Sequence, residues 1–216
     1  MRPASPPIVQ DRIERYDTLK RSFLRTGCPD CPLKATRKNL VFDRGNPQAD
    51  ILVIGEAPGE QEEKTGQCFV GRAGKMLDRM LTYAGLDPAR DVLIANVLKC
   101  RPPDNRTPTP EEAHSCLPTL LEQIRITQPK LMLLMGRTAY GRLYPDKAKT
   151  LKMSEEAGQV ADATIAEHRT RIAVMYHPAY LLYDPRKRTE AMTHLDNVRQ
   201  ELTRQHLDPK PKPEQL

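Results

Sequence analysis

Residues 51–71, ILVIGEAPGEQEEKTGQCFVG, decide the fold. They open with four apolar residues, Ile51, Leu52, Val53 and Ile54, bounded by Asp50 and Gly55. A short, β-branched run of this kind predicts a strand buried on both faces, as in a parallel sheet covered by helices. Gly55-Glu56-Ala57-Pro58-Gly59 then turns the chain, with glycines free to take positive φ and Pro58 fixing its own. Three acids follow, Glu60, Glu62 and Glu63, and then a lone aromatic, Phe69, between polar turns. Ligands of open α/β sheets bind at the carboxyl ends of the strands. Acids and an aromatic just beyond such an end are therefore candidates for chemistry.

Working outward, Val92–Val97, Leu131–Met135 and Ile172–Tyr176 read as three more buried strands, and residues 39–43 as a short one. Apolar periodicity predicts helices over 9–25, 74–83, 109–127, 138–143 and 188–205, with Thr109 as an N-cap ahead of Pro110. Residues 145–168 are polar, with the weak alternation of a hairpin. Strands alternating with helices imply a mostly parallel sheet covered on both faces, in one α/β domain spanning 9–206. Residues 1–8 read as a flexible N-terminus and 207–216, rich in Pro and Lys, as a disordered tail.

The chain has 216 residues and a formal net charge of +6, a basic excess that fits a polyanionic partner such as nucleic acid. It contains neither an apolar run long enough to span a membrane nor an N-terminal apolar segment typical of secretion, so a cytoplasmic location is expected. Five cysteines in that setting are not a disulfide framework. Cys28 and Cys31 form a C-x-x-C pair, and with Cys100 and Cys116 they make a four-cysteine metal site. Spacing does not separate zinc from an iron–sulfur cluster, and structural zinc is the commoner of the two. Cys68 reads as a small, half-buried side chain beside Phe69.

Each buried strand ends in something unusual: Gly55-Glu56-Ala57, Asn96, Gly136-Arg137 and His177-Pro178. With the strands parallel, Glu56, Glu62, Phe69, Asn96 and His177 fall along one edge and line one pocket. No Gly-Lys-Ser/Thr loop, G-x-G-x-x-G fingerprint or G-x-S-x-G elbow is present. What remains suits a planar, hydrogen-bonding substrate. Phe69 stacks on a base, Asn96 reads its edge with a donor and an acceptor, and His177 stabilises negative charge on a leaving group. A glutamate orients water or stabilises a cationic, sugar-like transition state.

Four motifs in fixed order, GEAPGEQE (55–62), FVGRAGKMLD (69–78), NVLKCRPPDNRTPTPEE (96–112) and HPAYLL (177–182), resemble the family 4 uracil-DNA glycosylases over roughly residues 25–205. The resemblance implies a single three-layer domain with a central four-stranded parallel sheet between helices. It implies a [4Fe-4S] cluster on Cys28, Cys31, Cys100 and Cys116 in place of zinc. It further implies that Gly55, Glu56 and Ala57 line the uracil pocket, that Phe69 stacks on uracil, and that Asn96 reads the pyrimidine edge. By the same likeness His177 lies near O2, and Glu62 near C5, where it helps exclude thymine's methyl group. Glu60 and Glu63 are left as solvated acids.

The implied activity is base-excision repair: a monomeric enzyme flips uracil out of DNA and hydrolyses its N-glycosidic bond, leaving an abasic site. Glu56, His177 and Asn96 are the expected catalytic residues. Leu181 or Leu182 would wedge into the minor groove, with Arg186 and Arg188 on the phosphates. Two positions depart from the pattern. Cys68 stands where proline is expected, and Tyr183-Asp184-Pro185 precedes the basic residues that would otherwise follow HPAYLL directly. The alternative, a non-catalytic or covalent binder of uracil-DNA or single strands, calls for a basic insertion with its own histidine after the second strand. KCRPPDNRTPTPEE (99–112) contains none.

Overall fold

The computed structural model describes residues 7–28, 30–207, 209–211, 213 and 216. The chain runs α1 (Pro7–Thr26), β1 (Arg44–Gly45), β2 (Ile51–Gly55), α2 (Glu60–Thr65), α3 (Arg72–Tyr83), β3 (Val92–Asn96), α4 (Pro110–Thr127), β4 (Leu131–Met135), α5 (Gly136–Leu143), α6 (Pro145–Ala148), α7 (Met153–Glu156), β5 (Val160–Ile165), β6 (His168–Met175), α8 (Pro178–Tyr183) and α9 (Arg188–Arg204). The expected flexible N-terminus lies outside the described residues apart from Pro7 and Ile8, which open α1.

The sheet has the order β1-β3-β2-β4-β6-β5. Its four central strands are parallel, and β1 and β5 pair antiparallel at the two edges. Six strands therefore stand where the resemblance implied four. The two extra ones are edges: β1 occupies 44–45 rather than 39–43, and 145–168 divides into α6, α7 and β5. Strand β5, VADATI, is half-exposed and lacks an apolar run, so it carries little strand signal of its own.

The central strands alternate in the manner of a sheet buried on both faces. Ile51, Val53, Ile94, Leu133 and Met175 pack with α3, α8 and α9, whereas Leu52, Ile54, Leu93, Leu134 and Val174 pack with α1, α4 and α5. Each such side chain contributes roughly 1.5–3 kcal/mol relative to exposure. Helix α4 starts as its sequence dictates: Thr109 Oγ1 accepts from the Glu112 N–H at 3.2 Å, and Glu112 returns the bond to the Thr109 N–H at 2.8 Å. In the tail, Lys210 donates its N–H to Gly85 and accepts from Arg199, and Leu216 is buried. Of the tail expected to be disordered, 207–216, residues 208, 212, 214 and 215 lie outside the described set.

One buried polar network joins the layer of α1 and α4 to the sheet. The Lys99 ammonium, fully buried, donates to the carbonyls of Asn96 at 2.9 Å and Phe42 at 3.4 Å and to Gln123 Oε1. Gln123 Nε2 donates to the Tyr16 hydroxyl, which donates to Asp43, and Lys20 closes the chain from the surface. Burial pushes the Lys99 ammonium below its ordinary pKa, and the charge of Asp43 is among the influences that oppose the shift. Breaking such a network at one member leaves buried groups unpaired. Gln123→Leu is expected to lower the unfolding free energy by about 3 kcal/mol in chemical denaturation.

Candidate active site

Consecutive strands β2 and β3 lie side by side, and the chain then crosses to the other side of β2 to form β4. The carboxyl end of β2 is thus a topological switch point, where open α/β sheets place ligands. A cleft of about 500 Å³ opens there, and Glu56, Glu62, Phe69, Asn96 and His177 all line it. A second depression, of about 630 Å³, lies at the opposite ends of the strands. It is lined by Lys130, Asp162, Arg171 and Glu201, which are engaged in ion pairs, and by none of the sequence-predicted residues.

The aromatic wall depends on close approach. Phe69 sits at φ 54°, an unusual conformation for a bulky residue. A Cβ on Gly74 would overlap the Phe69 carbonyl, and one on Gly55 would overlap both the Phe69 ring and Asn96 Oδ1. Only glycine lets α3 and β2 come this near. The loop is then clamped by Glu62, whose carboxylate accepts from the N–H groups of Gly59 (3.1 Å), Val70 (2.9 Å) and Gly71 (2.8 Å). Glu62 borders the cleft, but its oxygens are committed to backbone. Glu63 is not a solvated acid: it is buried, accepts from the Lys38 N–H at 3.1 Å and pairs with Arg101. Glu60 is exposed and pairs only with Lys64, as expected.

Asn96 pairs with Gly55 in the β2–β3 register and is only 1% exposed. Its Nδ2 donates to Cys68 Sγ at 3.7 Å, and its buried Oδ1 has no partner. An orphaned acceptor in a cleft wall is a seat for a ligand donor. His177 caps α8 by accepting the Ala179 N–H at Nδ1, 3.2 Å away, which leaves Nε2 to carry the proton of the neutral ring. Burial pushes its pKa down to about 4, so the ring is neutral at pH 7. The imidazole lies 6.0 Å from the Phe69 ring, tilted by 36°. The Glu56 carboxyl, half-buried, is raised by desolvation, which outweighs a hydrogen bond with Thr138 and the charge of Arg142.

Cys28, Cys31, Cys100 and Cys116 are buried together on the α1–α4 side of the sheet. Cys28 and Cys116 sulfurs are 3.5 Å apart. Their hydrogen bond lowers Cys116 and raises Cys28, while burial pushes Cys100 up to about 11. Among the described residues no group of three or more His, Cys, Asp or Glu side chains is disposed to hold a metal ion. The donor chemistry nevertheless fits an iron–sulfur cluster. Four soft thiols gather without a competing carboxylate ligand, the Lys99 N–H and ammonium act on Cys116, and the Arg37 guanidinium acts on Cys100.

Two expectations about the surface change. Leu181 is 0% exposed and belongs to the core against α3; the same helix projects Tyr183, 88% exposed. Leu182 is partly buried against that core. Arg186 is exposed and paired with Asp184, whereas Arg188 turns inward to the Leu181 carbonyl. Sequence reasoning missed the wall formed by Asn105, Arg106 and Thr107, and the Thr138 and Arg142 contacts to Glu56. The signal for the latter was the Gly136-Arg137 strand end, which predicted a site position but not which residue of the following turn fills it.

Residues 42–203 match the family model described as the uracil DNA glycosylase superfamily. The chain is 38% identical to a type-4 uracil-DNA glycosylase of Archaeoglobus fulgidus over 179 residues, covering 82% of this chain and 88% of the relative. It is 37% identical to one from Pyrobaculum aerophilum over 81% of this chain and 89% of the relative, and 42% identical to one from Thermotoga maritima over 72% and 78%.

The clamp can be tested without reference to activity. Glu62→Ala strips three backbone donors of a charged acceptor and is expected to cost about 3 kcal/mol in urea unfolding. Glu60→Ala, two residues away on the exposed face, is expected to leave the transition unchanged.

Proposed function

The chain belongs to the type-4 uracil-DNA glycosylases of the uracil DNA glycosylase superfamily, and from that premise we infer that its cleft removes uracil from DNA by hydrolysing the N-glycosidic bond. The observation that carries this reading is the buried, unpartnered Oδ1 of Asn96 beside an aromatic face and a neutral histidine in one cleft. Uracil offers N3–H to that oxygen and O4 to the amide nitrogen. Cytosine presents the reverse pattern and would leave buried groups facing like groups. Phe69 stacks on the flipped base, and the Gly55-to-Ala57 turn supplies the backbone wall.

The bond breaks with negative charge on the base and positive charge on the sugar. His177 Nε2–H donates to O2 of the departing uracil; as a neutral donor it stabilises the anion without first needing to acquire a proton. Glu56 faces the cationic sugar and orients the water that adds at C1′. Glu62 helps exclude thymine by fixing the 69–71 wall against which a C5 methyl would press. Tyr183, rather than a leucine, is the exposed apolar side chain that meets the base stack, with Arg186 near the phosphates. All of these residues come from one chain, which suits a monomer on DNA. Among the described residues no helix is long and apolar enough to cross a membrane.

Cys28, Cys31, Cys100 and Cys116 would hold a [4Fe-4S] cluster. When bound it supplies a covalent cross-link between the C-x-x-C loop and both ends of the 100–116 segment. That segment carries the Asn105–Thr107 wall of the cleft.

Incubation with a uracil-containing oligonucleotide should yield abasic sites, and tight binding without excision would reject the enzyme reading. Asn96→Ala is expected to lose about 100-fold or more in single-turnover rate with an unchanged unfolding transition. The pH–rate profile should show one acidic limb set by Glu56, whose pKa is raised, because its carboxylate is the working form. Glu56→Gln should lower the plateau and flatten that limb. His177 stays neutral until about pH 4 and should add no limb above it.

A further inference from the structure

The side chain that precedes Phe69 has a specific contact. Cys68 is fully buried, and its backbone N–H reaches the Asp43 carbonyl at 3.4 Å. Its sulfur lies 3.7 Å from Asn96 Nδ2 and accepts from it. The opposite end of the same amide is the unpartnered Oδ1 in the cleft wall. The Asn96 main chain is held separately, by the β2 register and by Lys99 on its carbonyl, so neither of these contacts fixes the rotation of the amide plane. Asn96 Nδ2 to Cys68 Sγ is the side-chain hydrogen bond that distinguishes one face of the amide from the other.

We propose that Cys68 is a positioning residue for base discrimination: it holds Nδ2 so that Oδ1, and not the amino group, meets the N3 edge of the base. This rests on the reading of Asn96 as the residue that meets the base edge. A half-turn of the amide would exchange acceptor for donor at N3, the change that separates uracil from cytosine. The thiol suits this task. Burial pushes it up to about 12, so it stays protonated and uncharged beside the amide. Its sulfur offers lone pairs to one hydrogen of Nδ2 and leaves the second hydrogen for O4. A proline at this position would fill space without accepting such a bond.

The test separates hydrogen bonding from packing. Cys68→Ser keeps an acceptor in a smaller side chain. Cys68→Val removes the acceptor while adding bulk, and Cys68→Ala removes the acceptor in a smaller side chain, so overpacking and underpacking bracket the lost bond. Single-turnover excision of uracil from single-stranded oligonucleotide is measured for each, together with the inhibition constants of free uracil and free cytosine and the unfolding transition. The expected result is that Val and Ala each lose about 5-fold in rate and a similar factor in the uracil-to-cytosine inhibition ratio, the size of one modest hydrogen bond. Ser is expected to retain most of both. Should Ser lose as much as Val, or Val keep the wild-type rate and ratio, the positioning role is overturned. Asn96→Ala is run alongside. If it keeps wild-type excision, the base-reading role of Asn96 itself fails, an outcome distinct from a Cys68 failure with Asn96 essential.

Discussion

A single buried ammonium, that of Lys99, sits where the structural demands on this chain meet. It has no carboxylate at ion-pair distance among the described residues and is satisfied by two carbonyls and an amide oxygen. Through Gln123, Tyr16 and Asp43 it fixes α1 and α4 to the sheet. Through the Asn96 carbonyl it reaches the residue that faces the cleft. Its own N–H bonds Cys116, and its chain neighbour is Cys100. The four buried cysteines and the cleft wall at Asn96 are therefore linked through one polar residue in an otherwise apolar core.

The cleft itself is built by close approach rather than by many contacts. Gly55 and Gly74 leave out the atoms that would collide with Phe69, and Glu62 gathers the loop by its backbone. Phe69 is thereby held in a positive-φ conformation by surroundings that over-determine it, as strained residues at functional sites generally are. The aromatic face is prepared before any base arrives, so little ordering is left for binding to drive.

The elements that were legible in the sequence are those whose environment is uniform. The four central strands are apolar on both faces, and α4 announces itself through Thr109, Pro110 and Glu112, all local in sequence. What could not be read depends on partners far along the chain. Nothing near Glu62 or Glu63 reveals that one clamps Val70 and Gly71 or that the other pairs with Arg101. Leu181 and Tyr183 are both apolar residues of one short helix, and only its docking on α3 decides which is buried. Strands β1 and β5 take their form from the neighbours they pair with, not from their own residues. The pocket members Glu56, Phe69, Asn96 and His177 were nonetheless brought together by one inference, that parallel strands end on one side.

The electrostatics of the cleft follow from its burial. Desolvation raises Glu56 and lowers His177, pushing both towards their neutral forms. The resting site thus disfavours charge, and a reaction that separates an anionic base from a cationic sugar creates charge there only in the transition state. In a site of low dielectric, oriented groups act more strongly on that new charge than water would. A neutral imidazole with its proton directed by the Ala179 N–H gives orientation without a standing positive charge that would also bind other anions. At Glu56 a hydrogen bond with Thr138 and the charge of Arg142 oppose that desolvation without overcoming it.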